Sequence, residues 1–206
     1  MQRWDLAQSQ ETPTPPPKKT RNVTPRLFLI SDVEFIVIAV ALNYFVVHAS
    51  IVDLFTKPWG IAEQVLFGIA TGAVISITFA SYLTRTHKLD SGMMASSFAQ
   101  LAKYPYWLLL ATGFTAGFAE ELLFRGMIQA IAGIWITSIL FMLGHAPYWG
   151  PSPHTKGKGI FAVLIFIAGI ATGYGVIAVG LTAVFVAHSI VDMSMFTTIK
   201  IHFSRQ

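Results

Sequence analysis

Long apolar runs restrict this chain more than any other feature. Residues 35–52 and 61–83 are dense in Ile, Val, Leu, Phe and Ala and are separated by Lys57-Pro58-Trp59-Gly60. Residues 106–130 and 134–145 follow, with a turn expected near Ala132-Gly133 and a stop at Ala146-Pro147, and then 160–179 and 181–198. Within hydrocarbon a backbone must satisfy its own polar groups, so runs of this kind are read as helices. The pattern predicts an all-α polytopic membrane protein of about six spanning helices. At 206 residues, 54% hydrophobic and 12% charged, the chain is too apolar for an ordinary soluble domain but suits one compact membrane domain.

The first 26 residues are different. They are polar, contain Thr12-Pro13-Thr14-Pro15-Pro16-Pro17, and carry Lys18, Lys19, Arg21 and Arg26, which predicts a disordered, solvated tail ahead of a single membrane domain over 27–206. A secretory signal peptide is not expected, because the first apolar run is long enough to span and lacks a small-residue cleavage site after it. Residues 85–103 fit an interfacial amphipathic helix and a plain loop equally well. Gly169-x-x-x-Gly173 is expected to let the fifth helix pack closely on a neighbour.

Charge orients the chain. With a cytoplasmic amino terminus, the inner segments hold the basic tail, then Arg85, Lys88 and Lys103, then Lys156 and Lys158, then Lys200 and Arg205, while the outer side keeps only Lys57. The positive-inside rule therefore places both termini in the cytoplasm, in what is expected to be a bacterial plasma membrane. The net charge of +4 follows topology rather than forming a basic face, so no nucleic-acid partner is expected. The chain has no cysteine, which excludes a thiol nucleophile and a thiolate metal site.

Against this apolar background Glu120, Glu121 and Arg125 are out of place. Ionisable groups at bilayer depth are costly and by default mark function. At about 1.5 Å of rise per residue, Glu120 and His145 both lie roughly 18 to 20 Å from the outer turn, and His188 and Asp192 roughly 12 to 18 Å from theirs. Three helices thus bring ionisable groups to one level. Glu121 and Arg125 stand i,i+4 and can neutralise each other, which leaves Glu120 to face a cavity with His145; His188 and Asp192 share another helix face. Taken singly these residues also read as scaffold or as helix-to-helix hydrogen bonds. Together they are expected to form a hydrolytic centre, in which the carboxylate takes a proton from attacking water, one imidazole orients that water or shuttles the proton and a second donates to the developing oxyanion. Ser138, Ser189 and Ser194 are poor nucleophile candidates, and Ser189 points away from His188 along the helix.

The motifs Glu120-Glu121-x-x-x-Arg125, Phe141-x-x-x-His145 and His188-x-x-x-Asp192, in that order over about residues 105–196, resemble those of the CPBP intramembrane proteases. That family includes the type II CAAX prenyl endopeptidases and the Abi proteins. The resemblance implies a glutamate-dependent peptidase without metal or other cofactor, opening to the cytoplasm, with a membrane-associated or lipidated protein or peptide as substrate. It also implies Glu120 as general base, His145 as its water-positioning partner and His188 with Asp192 as the oxyanion site, with Glu121, Arg125 and Phe141 in support. Asp192 stands where the eukaryotic-type pattern has Asn, so it either donates as a protonated acid or accepts from His188 and fixes its tautomer. Other readings are a zinc hydrolase using Glu120, His145, His188 and Asp192, a non-proteolytic scaffold or immunity-type protein, and a transporter.

Overall fold

The computed structural model describes residues 24–85, 98–145 and 155–205. The expected tail lies almost wholly outside these residues, as do most of the 85–103 segment and the stretch after His145. Among the described residues the chain is helical throughout and contains no β-strand. In order come α1 (Pro25–Leu42), a π-helical turn π1 (Asn43–Val47), α2 (Ile51–Thr56), α3 (Ile61–Arg85), α4 (Tyr106–Glu121), a second π-helical turn π2 (Leu122–Ile128), α5 (Gln129–Gly144), α6 (Thr155–Ala178) and α7 (Leu181–Phe203). Among the described residues four stretches are long and apolar enough to cross a membrane: Pro25–Val47, Ile61–Tyr82, Tyr106–Gly144 and Leu181–Phe203. Ala162–Ala178 is apolar but shorter.

The first span does not run over 35–52. Pro25 opens it at a position where a missing N–H costs nothing, and it stops at His48, whose backbone is left-handed at φ 54. The stop is built by Asn43, whose side chain accepts from Ala49 N–H at 2.9 Å and donates to Ala49 C=O at 3.3 Å. Ile51 and Val52 start a separate short helix capped by Ser50. The shift matters because it brings Asp32 inside the first span.

The 39-residue stretch Tyr106–Gly144 would rise nearly 60 Å if straight, about twice the hydrocarbon thickness. It is broken at Gly133, with φ 75 and ψ 172, a conformation essentially restricted to glycine. The turn expected at Ala132-Gly133 therefore coincides with this break. The leg beyond it, residues 134–144, rises only about 16 Å.

The core helix is α7, which packs against α3 on one side and α4 on the other. Lipid supplies no hydrophobic drive between helices, so close backbone approach has to provide the packing energy. It does so through two glycine pairs that the sequence reading passed over. A Cβ on Gly68 or Gly72 of α3 would run into Ala183 and Ala187, and one on Gly113 or Gly117 of α4 would run into Asp192, Met193 and Ser189. Gly169 and Gly173 of α6 approach Ser138 and Ile134 of α5 in the same way, so this pair serves internal packing.

One end of the bundle is tied by hydrogen bonds. The fully buried Gln64 donates to the carbonyls of Trp59 at 2.6 Å and Phe55 at 3.2 Å, Thr182 donates to Phe55 at 2.8 Å, and Trp59 N–H reaches Val179 C=O at 3.3 Å. Near the opposite end, Lys200 donates to Ala102 C=O at 2.7 Å and Tyr104 C=O at 2.8 Å. Large apolar side chains elsewhere, such as Val37, Phe45, Leu66, Val74, Trp135 and Ile177, face outward, as a lipid-facing surface requires.

Candidate active site

The site is assembled where α4 gives way to π2. Glu120 and Glu121 are the last residues of α4, and the wider turn that follows carries Arg125. A π-turn advances by fewer degrees per residue than an α-turn, which re-aims the residues beyond the glutamates, and such turns recur at functional sites. Here Leu122, Leu123, Phe124 and Met127 of π2 enter the core against Ala39, Phe141 and Leu181, anchoring the turn from three other helices.

Glu120 faces both histidines. Its Oε2 lies 3.8 Å from His145 Nε2 and 4.0 Å from His188 Nε2, and no direct hydrogen bond to this oxygen exists among the described residues. These separations exceed a direct hydrogen bond. His145 is held from behind: its Nδ1 lies 2.9 Å from Phe141 C=O. A carbonyl only accepts, so Nδ1 carries a proton, and Nε2 is the nitrogen turned toward Glu120.

His188 is fixed by the other glutamate. Its Nδ1 lies 2.7 Å from Glu121 Oε1, and its Nε2 is 3.7 Å from Asp192 Oδ2. The Glu121–Arg125 pair expected from the i,i+4 spacing is present at 3.4 Å, with both side chains fully buried. Glu121 is thus shared between Arg125 and His188, rather than spent on Arg125 alone.

Arg125 is placed from two further directions. Its Nε donates to Thr172 Oγ1 of α6 at 2.8 Å, and its guanidinium lies 4.7 Å from the centre of the Phe141 ring. Thr172 sits between Gly169 and Gly173, whose close approach to α5 brings its hydroxyl within reach. Phe141 also contacts His145, at 4.6 Å between ring centres, and His188 at 6.0 Å. One aromatic ring therefore abuts the arginine and both histidines, and its carbonyl sets the His145 tautomer.

All the residues singled out from the sequence, Glu120, Glu121, Arg125, Phe141, His145, His188 and Asp192, come together. Ser138 and Ser189 are spent elsewhere: Ser138 donates to Ile134 C=O at 2.7 Å and Ser189 to Phe114 C=O at 3.2 Å. Two residues were missed. Thr172 was hidden inside a glycine pattern read only for packing, and Asp32 fell before the assumed start of the first span, although an acid preceding a long apolar run was visible. Among the described residues, no group of three or more His, Asp or Glu side chains converges as metal ligands would.

No curated protein and no solved structure matches the chain. Residues 102–194, which contain all three motifs and Thr172, match the family model of the Type II CAAX prenyl endopeptidase Rce1-like proteins, and by that match this segment is similar to a family of membrane proteases.

Proposed function

We propose that this protein is an intramembrane endopeptidase that hydrolyses a peptide bond of a membrane-associated or lipidated protein or peptide, with Glu120 as general base. The observation that carries the reading is the placement of Glu120 Oε2 within 4.0 Å of ring nitrogens from two other helices. In neutral His145 the Nε2 lone pair and the Glu120 carboxylate are two acceptors side by side. A water between them donates one hydrogen to each, so its oxygen lone pair is directed at the substrate carbonyl.

As the water oxygen bonds to the carbonyl carbon, its proton passes to Glu120 and negative charge collects on the carbonyl oxygen. His188, as an imidazolium, donates its Nδ1–H in a hydrogen bond to Glu121 and offers Nε2–H to that oxyanion. Glu120 then delivers the proton to the leaving nitrogen, the C–N bond breaks, and an acid and an amine result. Glu121 is the group that orients His188, so Asp192, as the protonated acid, takes the donor role beside Nε2 that an amide would fill. Arg125, Thr172 and Phe141 hold Glu121 and the two rings in place.

The wider topology belongs to the same proposal. Counting the break at Gly133 and the shorter Ala162–Ala178 helix, six crossings bring the motif-bearing helices together as the core of one domain over 27–206, with both termini cytoplasmic as the lysine and arginine distribution supports. The cavity then opens toward the cytoplasm of a bacterial plasma membrane. The test is cleavage of a farnesylated peptide ending in a CAAX sequence, and a comparison of membrane peptides in cells carrying the intact protein or Glu120→Gln. The variant is expected to insert normally and cut nothing; cleavage at the native rate by Glu120→Gln overturns the reading.

A further inference from the structure

Asp32 is a carboxylate in α1, ahead of the 102–194 segment that resembles the protease family, and only 4% exposed. A buried acid in a spanning helix is costly and calls for a partner and a reason. The partner is Thr115 of α4, whose hydroxyl donates to Asp32 Oδ2 at 2.7 Å. That hydroxyl also lies 3.2 Å from Thr112 C=O within its own helix, so Asp32 provides the nearer, charge-assisted alternative to an ordinary back-bond.

The reason lies in what α1 brackets. Thr115 precedes Glu120 by little more than one turn. On the other side of Glu120, within π2, Phe124 meets Phe35 of α1 edge to face, with ring centres 6.0 Å apart. Asp32 and Phe35 are one turn apart on the same face of α1. The first helix therefore grips α4 and π2 on both sides of the candidate base, at the point where the regular helical repeat gives way. On the opposite side Gly113 and Gly117 seat α4 on α7, a contact that sets separation but has little directional preference.

We propose that Asp32 and Thr115 are a positioning pair: their hydrogen bond fixes the rotation of α4 and so aims Glu120 at His145 and His188. This rests on the reading of Glu120 as the base. The pair touches neither substrate nor water in the reaction, and its effect runs through the register of α4.

The test has two arms, both in the full chain reconstituted in liposomes. In the first, a farnesylated CAAX peptide is the probe. Asp32→Leu and Thr115→Val are each expected to lower kcat roughly ten- to a hundredfold, the scale of an ångström's misplacement, with KM changed less than about twofold. The double variant is expected to be no worse than the more severe single one, and Asp32→Asn, which keeps an acceptor for Thr115, to restore most of kcat. In the second arm, Glu120→Cys with His145→Cys, in a chain with no cysteine of its own, is joined by a short bifunctional thiosulfonate. The yield is expected to fall in the Asp32→Leu background and recover with Asp32→Asn.

Native kcat and native cross-linking with Asp32→Leu overturn the pairing, as does failure of Asp32→Asn to restore either. If the intact protein leaves the peptide uncut, the substrate reading fails while the cross-linking arm still decides the pair. If Glu120→Gln cuts normally, the role of Glu120 fails independently.

Discussion

At the scale of single residues, the site is a division of labour between neighbouring carboxylates. Glu120 and Glu121 are about 100° apart around α4, so one faces His145 and His188 while the other turns into the packed interior. Glu121 is held there by Arg125 at 3.4 Å and by His188 at 2.7 Å. Arg125→Leu would leave Glu121 without its guanidinium, and removing one partner of a buried pair costs about 3–5 kcal/mol, so a large drop in thermal stability in detergent is expected. Thr172→Val is expected to be milder, costing about 1–3 kcal/mol for a lost hydrogen bond to a charged group, read by the same melting experiment. Glu121→Gln keeps the shape but weakens the hold on His188, so cleavage is expected to fall sharply without the complete loss expected of Glu120→Gln. The pairing of Glu121 with Arg125 was legible in their spacing. Its second bond, to His188, was not, because sequence spacing within one helix carries no information about which face of another helix will meet it.

At the scale of elements, what the sequence disclosed was the level of each polar group and what it concealed was rotation. Counting rise from the turns put Glu120, His145, His188 and Asp192 at similar depths, and they do meet. The same counting cannot see π2, because apolar residues such as Leu122, Leu123 and Phe124 suit a π-turn and an α-turn alike. Nor could it place the start of α1, where Ser31, Asp32 and Glu34 interrupt the apolar run ahead of the span read from residue 35; the buried acid is tolerated because Thr115 answers it. Gly133 shows the opposite case, a helix break visible from residue type. A Cβ there would meet no other atom within 4 Å, yet its φ of 75 lies where side chains are strained. Gly133→Ala is thus expected to cost about 1–3 kcal/mol from backbone strain alone. Gly117→Val, by contrast, would drive α4 off α7 near His188, and is expected to abolish both folding and cleavage, whereas Gly159→Ala meets open space and is expected to be neutral.

At the scale of the molecule, α7 is the post around which the rest is set, gripped by the glycine faces of α3 and α4 and carrying His188 and Asp192 between them. The loop at 57–60 and the turn at Val179–Gly180 are tied at one end, so these connections share a side of the bundle. Lys57 lies at that end, and Lys200 close to the other. Reporter fusions at residue 57 and at the carboxy terminus are accordingly expected to report opposite sides of the membrane; the same side for both would overturn the proposed topology.

The short leg of residues 134–144 works as a ruler. Rising about 16 Å from Gly133, it covers only about half of a 30 Å hydrocarbon layer and ends where His145 begins. With Gly133 at the membrane surface, as the proposed topology has it, a full-length helix would have carried this imidazole to the opposite face. On the proposed function, the length of this one helical leg sets how deep in the bilayer a peptide bond must lie to be cut.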